Sequence, residues 1–170
     1  MNFSEQVKVL IITLSDRAFK GEYKDLSGPR IREIITDYFP TADRNLEIEE
    51  VLIPDNEELL RKHVLNAVDK YHFIFTTGGT GIGPRDITVE TIRPLLSKEI
   101  PGIMEFIRVK YGSVKPAALL SRGVAGVIGQ TLIYTLPGSV KAVNEYMIEI
   151  VKTLEHTIEM LHGIDTHNKF

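Results

Sequence analysis

The sequence predicts an α/β domain built on a largely parallel sheet, and three observations carry that expectation. Residues 7–14, Val-Lys-Val-Leu-Ile-Ile-Thr-Leu, form an almost unbroken apolar run of strand length, the pattern of a strand covered on both faces. From there strand-like and helix-like patterns alternate as β-α-β-α-β-α, the signature of crossover units. The third observation is the stretch 71–94, where Phe73-Ile74-Phe75-Thr76-Thr77 leads into Gly78, Gly79, Gly81 and Gly83 and then into a helix start. Glycines there allow positive φ and close approach of backbone to a ligand. Strand, glycine turn and helix start predict an anion site, with phosphate its usual occupant.

Taken in order, the run 7–14 is a central strand, and Ser15-Asp16-Arg17 follows at its C-terminal end before a polar loop through Gly21 and Asp25. Proline favours the first helical position, so Pro29 opens a helix to about Tyr38 with Ile31, Ile34 and Ile35 inward. Residues 48–53 make a second strand, broken by Pro54-Asp55-Asn56. Asn56 caps a helix whose apolar stripe is Leu59, Leu60, Val64, Ala67 and Val68, with Glu57 and Glu58 suited to its positive end. Residues 73–77 are the third strand; beyond the glycines, Thr88 is placed to cap a helix over 89–96. Pro101 starts another helix that buries Ile103, Phe106, Ile107 and, at its end, Tyr111.

The stretch 115–130 admits a short helix and then a small strand, which Gly129-Gln130 turns back antiparallel onto a strand at 131–136. Pro137-Gly138-Ser139 forms a small-residue turn, with Ser139 capping the last helix. Val143, Met147, Ile150, Val151, Leu154, Ile158 and Leu161 keep helical spacing to Gly163. Residues 1–163 are expected to form one domain and 164–170 a loose tail.

Composition narrows the classes. A chain of 170 residues, 43% hydrophobic and 25% charged, is long enough for one domain with a real core. A net charge of −3 gives no general pull toward nucleic acid or acidic membranes. With no cysteine there is no disulfide, thiolate metal site or cysteine nucleophile, which suits the cytoplasm. No apolar run reaches membrane-spanning length, and residues 1–6 carry no basic leader.

In a parallel sheet the functional loops gather at the strands' C-terminal ends, and ligands settle where the winding reverses. With strand order 2-1-3 that crevice lies between the first and third strands, lined by Ser15-Asp16-Arg17 and residues 78–86. Asp55 then stands about 10 Å from the third strand's end, two interstrand spacings away. The glycines fit neither Walker A, which needs a following lysine, nor the dinucleotide fingerprint, which needs Gly-x-Gly-x-x-Gly. Carboxylates beside a phosphate cradle make sense if a divalent cation, most often Mg²⁺, sits between them. Taken singly, each aspartate has a plainer role: Asp16 capping a turn, Asp55 in a solvated turn, Asp86 paired with Arg85. Only their shared edge favours function. Arg17, Arg85 and Lys141 are candidates to clamp phosphates and equally surface charges. His156, His162 and His167 read as a solvated face, and His63 and His72 as partly buried helix and strand-edge residues.

These residues carry a resemblance. Leu14-Ser15-Asp16-Arg17, Asp25-x-Ser27-Gly28-Pro29, Pro54-Asp55, Thr77-Gly78-Gly79-Thr80-Gly81 with Pro84-Arg85-Asp86-x-Thr88, Pro101-Gly102, Leu120-Ser121-Arg122 and Leu136-Pro137-Gly138-Ser139 together resemble the MogA/MoaB family of molybdopterin adenylyltransferases, which includes plant and gephyrin G domains. The resemblance implies a three-layer α/β/α domain with one antiparallel strand in the sheet, and a homotrimer. It implies Mg²⁺-dependent transfer of AMP from ATP to the terminal phosphate of molybdopterin, with pyrophosphate released and a molybdate-insertion protein as a further partner. By the same resemblance Asp55 and Asp86 are the critical, metal-holding aspartates. Ser15, Asp16, Gly78, Gly79, Thr80, Gly81, Ser121, Pro137, Gly138 and Ser139 then belong to the substrate pocket. Ile82-Gly83 departs from the family at a variable spot. Two other readings stand beside this one: a molybdopterin-binding or scaffold module of the MoaB type, and a pyrophosphatase or nucleotide hydrolase on a related fold.

Overall fold

The computed structural model describes residues 6–39 and 45–163; the expected tail at 164–170 lies outside them. Six strands form one sheet in the order β2-β1-β3-β6-β5-β4. They are β1 (Gln6–Leu14), β2 (Asn45–Ile53), β3 (Phe73–Thr77), β4 (Lys98–Glu99), β5 (Ala125–Ile128) and β6 (Thr131–Leu136). β2, β1, β3 and β6 run parallel, with Val9 opposite Phe73 and Phe73 opposite Leu132. β5 is the one antiparallel strand, paired to β6 through the tight turn at Gly129-Gln130 and to β4 on its other side. The edge strand β4 has no counterpart in the sequence reading: two exposed residues, Lys98 and Glu99, carry no apolar pattern from which a strand could be recognised.

The period-two alternation of side chains sorts the core into two layers. Val7, Val9 and Ile11 of β1 face α2 (Ser27–Tyr38), α5 (Pro101–Gly112), α6 (Val140–Ile150) and α7 (Leu154–Leu161), through Ile31, Ile35, Ile107, Met147 and Ile158. Leu10, Ile12 and Leu14 face α3 (Glu57–Ala67) and α4 (Thr88–Ile92), through Leu60, Val64, Val89 and Ile92. The result is the three-layer α/β/α arrangement.

Several local expectations need correction. The polar loop after β1 contains a short helix, α1 (Asp16–Phe19), with Ser15 as its N-cap accepting from the Ala18 amide. Helix α2 begins two residues before Pro29, because Asp25 Oδ1 accepts from the amides of Ser27 and Gly28 and so starts the turn. Thr88 does not cap α4: it is the first helical residue, fully buried, and its hydroxyl donates to the Gly78 carbonyl. That helix stops at Ile92 and continues only as a 3₁₀ turn, since Pro94 cannot donate a backbone hydrogen bond. Leu59 and Phe106, expected inward, are exposed, and Met104 is buried on α5 instead. The long last helix is broken by a 3₁₀ segment at Val151–Thr153 into α6 and α7, with both parts still on the same core layer. His72 is buried, its Nδ1 accepting the Lys8 amide, and His162 packs against it with ring centroids 6.3 Å apart. His162 therefore does not belong to a solvated face, whereas His156 is exposed and His167 lies outside the described residues.

Candidate functional site

Connections β1–α2–β2 and β2–α3–β3 wind to opposite faces, so the reversal falls between β1 and β3. A cavity of about 800 Å³ opens there, at the strands' C-terminal ends. Its wall is made by Leu14 at the end of β1, Ser15, Asp16, Arg17 and Tyr23 after it, Asp55 after β2, residues 78–82 with Arg85 and Asp86 after β3, Pro137, Gly138 and Ser139 after β6, and Ala117, Leu120 and Ser121. Ser15, Asp16, Asp55, Gly78, Gly79, Thr80, Gly81, Asp86, Ser121, Pro137, Gly138 and Ser139 all line it, as do the candidate clamps Arg17 and Arg85, whereas Lys141 does not.

The glycine turn is fixed by its carbonyls. The Gly78 carbonyl accepts from the Thr88 hydroxyl at 2.8 Å and the Gly79 carbonyl from the Thr88 amide at 3.0 Å. The Thr80 carbonyl accepts from the Arg122 amide at 3.0 Å and the Gly81 carbonyl from Arg122 Nε at 2.7 Å. Neither Thr88 nor Arg122 lines the cavity. In a trans peptide the N–H points opposite to the C=O. The N–H groups of Gly79, Thr80, Gly81 and Ile82 are thereby turned to the other side, and no described residue accepts from them. Four consecutive unengaged donors are suited to act as a backbone anion cradle.

The glycines here answer to the protein's own packing. Gly78 and Gly79 have φ of +102° and +67°. A Cβ on Gly78 would meet the Leu14 carbonyl oxygen at 2.3 Å, and one on Gly79 would meet the Thr88 hydroxyl at 2.4 Å. Gly81 lies against Asp86, whose Oδ2 accepts from the Gly83 amide at 2.7 Å and closes the turn.

The three aspartates differ in their surroundings. Asp16 and Asp55 are cross-linked: the Asp16 amide donates to Asp55 Oδ2 at 3.0 Å and the Asp55 amide to Asp16 Oδ1 at 3.1 Å. Arg85 pairs with Asp16 through Nε and Nη2 at 3.0 and 2.7 Å, and also donates to the Asp55 carbonyl. Asp86 therefore does not pair with Arg85. Burial pushes the Asp16 carboxyl up, but the Arg85 hydrogen bonds, the Asp55 amide and the charges of Arg85 and Lys20 outweigh it and hold its pKa below the ordinary value. Asp55 is raised, chiefly by burial, with the like charges of Asp16 and Asp86 adding to it. Among the described residues no basic side chain forms an ion pair with Asp55 or Asp86.

That contrast decides which residues suit a cation. Described residues hold no cluster of three or more His, Cys, Asp or Glu side chains, so there is no all-protein metal cage. Mg²⁺ commonly takes only one or two carboxylates and completes its shell with water and substrate phosphate. Asp55 and Asp86 each keep Oδ1 free of the hydrogen bonds that occupy Oδ2, and fit that role; Asp16 is already neutralised.

The serines act locally. Ser15 caps α1 and shares a 2.8 Å hydrogen bond with the Tyr23 hydroxyl, while Ser139 caps α6 by accepting from the Ala142 amide. The Ser121 hydroxyl is buried without a completed hydrogen bond. Arg17 stacks over the Tyr23 ring at 5.2 Å. Sequence reasoning missed Tyr23 and Ala117 as lining residues and the bracing role of Arg122; Leu120 and Arg122 entered it only through the Leu120-Ser121-Arg122 motif.

A family described as "Probable molybdopterin binding domain" matches residues 10–156. A molybdopterin adenylyltransferase of Helicobacter pylori is 32% identical over 161 residues, covering 94% of this chain and 90% of that protein. The Drosophila melanogaster molybdenum cofactor synthesis protein cinnamon is 35% identical over 159 residues, but the chain spans only 26% of its length. Among solved structures, the molybdopterin biosynthesis enzyme MoaB of Thermus thermophilus superimposes with a TM-score of 0.81 at 37% identity, covering 93% of this chain and 98% of that one.

Proposed function

The chain belongs to the family of probable molybdopterin binding domains, and from that premise we propose that it transfers AMP from ATP to the terminal phosphate of molybdopterin. The observation that carries the reading is one cavity holding both an unengaged amide cradle and two carboxylates with no basic ion-pair partner among the described residues. A site that only bound an anionic pterin would gain nothing from Asp55 and Asp86, because their charge repels phosphate. The enzyme reading is further supported by a relative of nearly the same length that is named a molybdopterin adenylyltransferase.

In the proposed reaction a terminal phosphate oxygen of molybdopterin bonds to the α-phosphorus of ATP. The bond from that phosphorus to the bridging oxygen breaks, and pyrophosphate leaves with the electron pair. Such a transfer asks mainly for positioning and for stabilisation of developing charge. The N–H groups of residues 79–82 hold phosphate oxygens; Ser15, Ser121 and the turn Pro137-Gly138-Ser139 bound the rest of the cavity. Asp55 and Asp86 would hold Mg²⁺, which supplies Lewis-acid neutralisation of the phosphates. Asp16 keeps Asp55 in place through their paired amide bonds, and Arg85 fixes both loops.

The proposal extends to a cytoplasmic homotrimer. Phe106, Val109 and Val114 are exposed on and just beyond α5, and support this region as a contact between copies. A partner that inserts molybdate would take the adenylylated product.

The experiment is formation of adenylyl-molybdopterin from ATP, with and without Mg²⁺ and with and without molybdopterin. The expected result is ATP use only when both are present. Molybdopterin binding with no ATP use under any condition would leave a binding module, and ATP hydrolysis without molybdopterin would leave a hydrolase.

A further inference from the structure

Arg122 reaches the glycine turn from outside the cavity. Its own amide donates to the Thr80 carbonyl at 3.0 Å, Nε donates to the Gly81 carbonyl at 2.7 Å, and Nη2 lies 3.4 Å from the Asp86 carbonyl. The rest of the guanidinium is forked onto Glu90 of α4, with Nη2 at 3.3 Å from Oε2 and a closer contact from Nη1 to Oε1. Four peptide planes set the direction of the four cradle amides, and they are held by different means. Thr88 holds two of them from within the same loop-helix unit, and the Arg122 backbone holds a third. The Gly81–Ile82 peptide is held by a side chain alone, that of Arg122. Gly81 has no Cβ to resist rotation about its own ψ, so without that bond the peptide is restrained only by the backbone of Ile82. A tilt of that plane would turn the Ile82 N–H away from the phosphate and bring the Gly81 carbonyl oxygen toward it.

We propose that Arg122, braced by Glu90, is a positioning residue that keeps the Ile82 amide aimed into the cavity and so completes the anion cradle. This rests on reading the turn as a phosphate site. Arg122 touches no ligand itself; the guanidinium's planar fork lets one side chain bond a carbonyl and a carboxylate at once, which an ammonium does not reproduce. Its backbone bond to Thr80 persists in any substitution, so the effect falls on the Gly81–Ile82 peptide and on the longer contact to the Asp86 carbonyl.

The test compares wild type with Arg122→Met, Arg122→Lys and Glu90→Gln, using amide NMR of the ligand-free protein and calorimetric titration with inorganic pyrophosphate. In Arg122→Met the Ile82 amide should shift and exchange faster while those of Gly79 and Thr80 stay put. The pyrophosphate dissociation constant should rise about tenfold, the size of effect common for residues that orient a binding group. Arg122→Lys should not rescue it, and Glu90→Gln should give a smaller rise, since Nε keeps its bond. A wild-type Ile82 amide with wild-type affinity in Arg122→Met overturns the proposal. If that variant does not fold, wild-type behaviour of both Arg122→Lys and Glu90→Gln overturns it equally. Failure of the wild type to bind pyrophosphate would instead overturn the cradle reading, and the Ile82 amide would still report whether Arg122 orders the turn.

Discussion

Asp55 and Gly79 show how single positions divide between stability and function. Burial and the neighbouring charges of Asp16 and Asp86 raise the Asp55 carboxyl in the fold. A carboxyl with a raised folded pKa is destabilised as its anion, and that cost is present at every pH above the folded value. Replacing it with neutral Asn, which can still accept the Asp16 amide, is therefore expected to leave the melting temperature at pH 7 equal or higher. AMP transfer in the same Asp55→Asn protein, and in Asp86→Asn, should fall by roughly two to three orders of magnitude. Transfer at the wild-type rate in both would remove the metal-holding role. Gly79 is the opposite case. The sequence allows positive φ anywhere in this glycine cluster; at Gly79 the φ is +67° and a Cβ would strike the Thr88 hydroxyl, so the position answers to packing as well as to ligand approach. Gly79→Ala should accordingly lose on the order of 2 kcal/mol of stability, read by denaturant titration. A variant as stable as wild type would show that Thr88 gives way.

At the scale of elements, the caps and the strand starts carry the testable energetics. Helix α6 begins at the cavity, with Ser139 accepting the Ala142 amide at 3.2 Å. Ser139→Ala should cost about 1 kcal/mol in thermal or chemical denaturation, the usual worth of an N-cap. At the other end of the sheet His72 precedes β3, buried and accepting the Lys8 amide, with its pKa lowered to about 4, chiefly by burial and then by the charges of His162 and Lys8. A histidine whose folded pKa lies below its unfolded one stabilises the fold fully above the unfolded value. That stability is lost as pH falls from 6.5 toward 4. Melting temperatures measured across that window should drop for the wild type and drop less for His72→Asn, whose side chain offers the same Lys8 amide an oxygen. Parallel pH profiles would assign the acid sensitivity elsewhere.

For the whole molecule, the proposed trimer makes a prediction that separates surface from core. Phe106 and Val109 are 55% and 68% exposed on α5, so charges placed there leave the monomer's packing intact. Light scattering of wild type should give three chains, and Phe106→Glu with Val109→Glu should shift it toward monomer at an unchanged circular dichroism spectrum. A wild type that is monomeric at micromolar concentration would rule this contact out.

What could be read in the sequence was what local chemistry dictates. Apolar runs set β1 and β3, Asn56 and Ser139 announced their helices, and the Gly78–Gly81 cluster followed a strand as an anion turn must. The strand order 2-1-3, taken as one common doubly wound arrangement and found in the structure, then placed Asp55 and Asp86 on one edge. What only the tertiary structure decided were pairings between distant residues, which no periodicity encodes. Arg85 neutralises Asp16 across 69 positions and leaves Asp55 and Asp86 without a basic ion-pair partner among the described residues; Arg122 braces Gly81 across 41. Thr88 reads as a cap because its type and place suit one, yet it is buried and donates to Gly78. A side chain's type limits the bonds it can make, and the fold determines which partners come within reach.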